Sequence, residues 1–172
     1  MTDPLPDELG AHVSSAGGVA EAPARARALD SGVLQLFTKQ PNRWAEPSVD
    51  EATADAFREA RAAHRIAVAG AHDSYLINLS SPKPALWDRS LASFTAELRR
   101  CSILELDFLV THPGNATDGD MEEGIRRNAR GVTRALEEVG EGPTRILLEL
   151  TAGTGTSVGG SFEALAAILG EI

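Results

Sequence analysis

The chain has 172 residues, 42% of them hydrophobic and 24% charged, which suffices for one globular domain with a sizeable core and is too little for two. A net charge of −9 sets a long-range field that repels phosphate, so broad, non-specific attraction to nucleic acid is excluded and any DNA contact must come from local cationic loops.

Along the chain, short β-like runs alternate with longer segments of helical period, the signature of successive βαβ units around a parallel sheet. The opening MTDPLPDELG has neither the basic region nor the apolar run of a secretion signal, and no run approaches the roughly 18 apolar residues of a membrane span, so a soluble, cytoplasmic protein is expected. Leu9 to Val13 is the first predicted strand, followed by a break at Gly17 and Gly18 and an Ala/Arg-rich helix to about Asp30. Val33 to Thr38 is the second strand. After the polar stretch QPNRWAEP, Ser48 with Glu51 three residues on reads as a capping box that opens a helix to about His64. Ile66 to Ala71 is the third strand.

The helix predicted over about Pro84 to Leu104 places Trp87, Leu91, Phe94, Leu98 and Cys101 on one buried stripe. Cys101, the single cysteine, is therefore a small core residue and redox chemistry is set aside. Phe108 to Thr111 is the fourth strand. Met121, Ile125, Asn128, Val132, Ala135 and Val139 form a second stripe on a helix stopped by Gly140 and Gly142. Arg145 to Leu150 is the fifth strand, and a glycine-rich loop leads to an apolar helix over Phe162 to Leu169. Five βα units fill the chain, whereas an eight-unit barrel takes roughly 250 residues. Composition alone leaves part of a barrel and an open doubly wound sheet both available.

Unusual polar residues fall at the C-terminal ends of the predicted strands: His72 after the third, His112 after the fourth and Glu149 near the end of the fifth. Barrel enzymes build their sites on that rim. Two imidazoles and a carboxylate are a common catalytic zinc set, and adjacent parallel strands about 4.8 Å apart can converge such side chains. A lone histidine beside a strand is more often structural, the reading kept for His64 at a helix end.

Several segments carry a resemblance beyond spacing: GAHVSSAGG from Gly10, FTK from Phe37 with Trp44, AHDSYLINL from Ala71, HPG from His112, and TAGTGTSVGGSFEALAAI from Thr151. In order and interval they resemble endonuclease IV, over nearly the whole chain after Leu9 but only the N-terminal part of that family's barrel. The resemblance implies an α/β fold, a partial TIM (β/α)8 barrel with about five βα units and a parallel sheet, as one incomplete domain over residues 1–172. It implies a zinc-dependent phosphodiesterase that cleaves the DNA backbone 5′ to abasic sites in base-excision repair, with three zinc ions in a complete member. By resemblance, His72 and His112 ligate one zinc, and Glu149 bridges it to a second while serving as the catalytic carboxylate. His12, on the same rim, is assigned a supporting place beside the ligands.

The same resemblance gives Tyr75 and Leu76 to a DNA-recognition loop, where an aromatic and an aliphatic side chain replace stacking lost at a lesion. Where the family presents an arginine to DNA this chain has Asn42, and neighbouring Arg43 is taken as the substitute. Asn115 and Ala116 stand where a serine and a histidine are typical, and Leu150 where an asparagine is usual. The family's other ligands come from later strands, so the expectation is an N-terminal fragment, a truncated product or half of a split enzyme. Such a chain would hold at most one complete zinc set, with a C-terminal half and double-stranded abasic DNA as partners and little activity alone. Two other readings stand beside it: a sugar isomerase-like barrel enzyme, and a non-catalytic zinc- or DNA-binding remnant.

Overall fold

The computed structural model describes residues 9–172, so the reading of the first ten residues falls largely outside the described ones. The elements follow in strict alternation: β1 (Gly10–His12), a 3-10 turn (Val19–Glu21), α1 (Ala22–Arg27), β2 (Val33–Leu36), α2 (Glu51–Ala63), β3 (Val68–His72), α3 (Pro84–Ile103), β4 (Phe108–Thr111), α4 (Met121–Val139), β5 (Arg145–Leu148) and α5 (Phe162–Glu171). The five strands form one parallel sheet in sequential order. Sequential order with a helix in each crossover is barrel winding, and it removes the doubly wound alternative, which would reverse strand order at a switch point.

Strand parity separates two environments. Leu34, Leu36, Ala69, Ala71 and Leu109 are fully buried and pack with Phe57, Phe94, Leu98 and Cys101 of the helices in the main core. The opposite face carries Gly10 with its register partner Val33, and Gly70 with its partner Phe108. It also carries His12 and His72. Side chains alternate along a strand, so one face is sealed by helices while the other converges toward the concave side. Gly70 is required there: a Cβ at this position would lie 2.1 Å from the Phe108 ring. Helix α4 adds a smaller core of Ala116, Ala129, Val158 and Ile168.

Helix ends show why the elements stop where they do. Asp120 and Ser161 cap α4 and α5 by accepting from the backbone N–H of Glu123 and Ala164. The expected cap at Ser48 is corrected: α2 starts at Glu51, and Asp50 caps it by accepting from Thr53 N–H at 2.9 Å. Glu51 bonds Arg58 instead of closing a capping box. Helices α1, α2 and α3 each leave through one residue with positive φ, Asp30, Arg65 and Glu105. The next N–H reaches back to the last turn, from Ser31 to Ala26, Ile66 to Arg61 and Leu106 to Cys101, which is the Schellman geometry. Gly140 fills the equivalent place after α4 with φ 79°, as its sequence position predicts. The third strand is shifted relative to expectation, ending at His72 rather than Ala71. No described helix is long and apolar enough to cross a membrane.

Candidate metal centre

Strand register brings three of the expected residues together. His72 pairs with Val110, and Thr111 pairs with Leu148, so His112 and Glu149 are the next neighbours along β4 and β5 on the face that His72 occupies. One ligand atom from each of His72, His112 and Glu149 lies within 4.8 Å of the other two, the one such metal-capable cluster among the described residues. Glu149 Oε2 stands 3.2 Å from His72 Nε2 and 3.6 Å from His112 Nε2.

The donor chemistry fits a cation. His72 Nδ1 lies 2.9 Å from the Asp73 carbonyl, which only accepts, so Nδ1 carries a proton and Nε2 is the nitrogen left to ligate a cation. His72 Nε2 and His112 Nε2 both face the same Glu149 carboxylate oxygen. Burial holds His112 below the ordinary histidine value, an effect that neighbouring His72 reinforces and Glu149 opposes. A neutral imidazole is the form that ligates. A divalent cation would be ligated by all three groups at once.

The surrounding residues form a compact aromatic group. The Phe37 ring centroid is 5.7 Å from that of His72, 5.4 Å from Tyr75 and 4.5 Å from His12. Tyr75 is 58% exposed and stands beside both histidines of the cluster, at 5.5 Å from His72 and 6.3 Å from His112. Leu76 is half-buried beside it, and Arg43 is exposed on the neighbouring loop. The two loops are clipped together, Ser74 Oγ and Tyr75 N–H both donating to Pro41 O. His12 stays outside the three-residue cluster: its Nδ1 lies 3.0 Å from Gln35 Nε2, and burial lowers its pKa.

The departures from the family pattern separate in space. Asn115 and Leu150 line one surface pocket with His112 and Glu149, and Asn42 is exposed on the Arg43 loop. Ala116 is placed differently. It is buried in the smaller core, where a Cβ on Gly124 would come within 2.7 Å of its own.

Sequence reasoning missed a buried ionic network that carries the Arg43 loop. Lys39 Nζ, its side chain 1% exposed, contacts Glu46 at 2.5 Å and donates to Ser93 of α3 at 2.9 Å. Arg100 reaches Glu46 at 2.9 Å and Glu97 at 3.1 Å, and Thr38 donates to Glu97. The available signal was the pair Glu97 and Arg100, charged residues set among the apolar positions of α3. Asp73 was missed as well. Buried and accepting from Thr111 Oγ1 at 2.5 Å, it has a carboxyl pushed well up by burial.

Comparison with known proteins places this geometry. The model of the xylose isomerase-like TIM barrel family matches residues 23–172. The chain belongs to that family. It is 45% identical to a probable endonuclease 4 of Geobacter sulfurreducens over 163 residues, covering 95% of this chain and 55% of that protein. A probable endonuclease 4 of Chloroflexus aurantiacus is 42% identical over 158 residues, 92% of this chain and 55% of that one. The crystal structure of endonuclease IV from Thermus thermophilus superposes with TM-score 0.83 at 36% identity, over 93% of this chain and 58% of that chain. The resemblance to the N-terminal part of the endonuclease IV barrel is thus borne out, and the chain spans little more than half the length of these relatives. A D-tagatose 3-epimerase-like protein matches with TM-score 0.68 at 14% identity, which extends the likeness of fold alone.

Proposed function

We propose that the chain is the N-terminal part of a zinc-dependent, endonuclease IV-type enzyme, a single barrel-sector domain working in the cytoplasm on double-stranded DNA at abasic sites. The observation that carries the reading is the convergence of His72, His112 and Glu149 within 4.8 Å, beneath Tyr75 and next to the Arg43 loop. His72, His112 and Glu149 would hold the metal. Bound zinc would supply Lewis-acid stabilisation of charge on the phosphate and acidify an attacking water. Tyr75 and Leu76 occupy the loop that follows His72, so a nucleotide turned out beside them would lie close to the residues that would hold the metal; Arg43 would supply a phosphate contact against the unfavourable net charge. Phe37 packs between His12 and His72 at the side of the site.

Elemental analysis tests the metal assignment: at most one zinc per 172-residue chain is expected, lost on His72→Ala or His112→Ala. Three tightly held zinc ions would refute the single ligand set. Incision of an abasic-site duplex is expected to be slight for this chain and to rise when the remaining length of the relatives' barrel is supplied in trans. Robust cleavage by the chain alone refutes that expectation, and epimerisation of a ketose without preference for abasic DNA replaces the function.

A further inference from the structure

The His112 loop is held by side chains instead of by continued strand pairing. Pairing between β3 and β4 ends with the register partners His72 and Val110 and the bond from Asp73 N–H to Val110 O, two residues short of His112. Beyond that point Pro113 O accepts from Ser80 Oγ at 2.7 Å and from Asn128 Nδ2 at 2.8 Å. Gly114 has φ +94°, and a Cβ there would lie 2.3 Å from Asn78 Oδ1, so the glycine admits the Asn78 amide to the loop backbone.

Asn78 then pairs with Asn115 in both directions. Its Oδ1 accepts from Asn115 N–H at 2.9 Å and its Nδ2 donates to Asn115 O at 3.0 Å. The same Oδ1 accepts from Ser80 N–H at 3.2 Å, and the Asn78 N–H donates to Ser90 Oγ of α3 at 3.0 Å. On its other side Asn115 forms an antiparallel bridge with Ser157, and Gly114 O accepts from Val158 N–H at 2.9 Å. One side chain therefore stands in for a strand neighbour. It joins the loop of His72 and Tyr75 to the loop of His112, and so to the segment after Glu149.

We propose that Asn78 is a positioning residue for the metal centre, acting through the His112 loop to hold His112 Nε2 within reach of Glu149 and His72. The inference rests on the metal reading given above. Asparagine suits the place because the pairing needs a donor and an acceptor in one plane on a short stem; aspartate lacks the donor and serine cannot bond both backbone groups at once. Groups that orient ligands typically change metal affinity by about 10–100-fold when removed.

The test uses the 172-residue chain and its Asn78→Ala and Asn78→Asp variants with two readouts, amide hydrogen exchange and cobalt(II) titration followed by visible absorption. In Asn78→Ala the Asn115 amide is expected to exchange at least about tenfold faster while the Val110 amide of β4 is unchanged. Cobalt affinity is expected to fall about 10–100-fold, with an altered ligand-field band. Asn78→Asp keeps the acceptor and restores Asn115 protection, while recovering only part of the metal affinity. An Asn115 amide that stays protected in Asn78→Ala, or cobalt affinity within about threefold of the parent chain, overturns the positioning role alone. A parent chain that takes up no cobalt or zinc refutes the metal reading, and the exchange arm still decides whether Asn78 holds the loop.

Discussion

Replacing Arg100 by methionine tests the buried network beneath the Arg43 loop. The substitution keeps most of the apolar stem and removes the cation from Glu97, whose side chain is 1% exposed. Even with Arg100 in place, burial pushes the Glu97 carboxyl above its ordinary 4.5. Without Arg100 the buried carboxylate keeps only the Thr38 hydrogen bond and the more distant Lys39 charge, so it must take a proton or remain charged without a direct ion-pair partner. Unpaired buried charges cost about 3–5 kcal/mol. Protonation at pH 7 caps the cost at about 1.4 kcal/mol for each of roughly 2.5 pH units, or about 3.5 kcal/mol. Glu97 has a folded-state pKa above its unfolded value, so its contribution is most favourable at and below pH 4.5 and is lost as pH rises toward the folded value. Removing Arg100 raises that folded value further. The stability difference between the parent chain and Arg100→Met should therefore be about 1 kcal/mol near pH 4.5, from lost hydrogen bonds, and should grow toward about 3–4 kcal/mol at pH 7 to 8. Urea unfolding across this range reads it directly. A difference that is flat with pH, or below about 1 kcal/mol throughout, would refute the reasoning.

Three further outcomes follow from other parts of the molecule. Gly70→Ala puts a Cβ 2.1 Å from the Phe108 ring and should lower stability by at least about 2 kcal/mol in urea unfolding, with partial recovery when combined with Phe108→Leu. Glu105→Gly replaces a residue at φ 54° and should raise the melting temperature, relief of the left-handed strain being worth up to about 1 kcal/mol. Under the proposed function, Tyr75→Ala with Leu76→Ala should reduce any preference for abasic over intact duplex in a binding titration while leaving metal content unchanged; an unchanged preference removes the recognition role from this loop.

The fold was largely legible because every unit repeats one rule: a short apolar strand, a polar turn, then a helix with one apolar stripe. Trp87, Phe94, Leu98 and Cys101 are buried as their spacing requires. The three convergent residues were legible for a related reason, since histidines and a glutamate at strand ends stand out against apolar runs. Cap assignment at α2 failed because Ser48 and Asp50 both precede helical residues, and only backbone geometry decides whose oxygen meets an N–H. The Lys39, Glu46, Glu97 and Arg100 network was hidden because charged residues on a helix ordinarily mark its solvated face. Burying them requires partners more than 50 positions away along the chain, as with Lys39 and Ser93, and no local pattern announces such pairing. Asn78 was hidden similarly: its partner Asn115 is set by the loop conformation of Gly114.

The placement of the site follows from register more than from closure of a barrel. His72, His112 and Glu149 come from three consecutive strands that are hydrogen-bonded neighbours in pairs, so their convergence depends on two local pairings. His72 aligns with Val110, two residues before His112, and this two-residue advance from β3 to β4 matches the stagger of strands tilted about a barrel axis. The advance also leaves His112 beyond the last regular pairing with β3, where only side chains can fix its loop. Asn78, Ser80 and Asn128 supply that fixation, and Asn78 and Ser80 lie in the same segment that carries Tyr75. The residues that would hold a metal and those proposed to face DNA thus share one support, so displacement of the His112 loop should disturb both together.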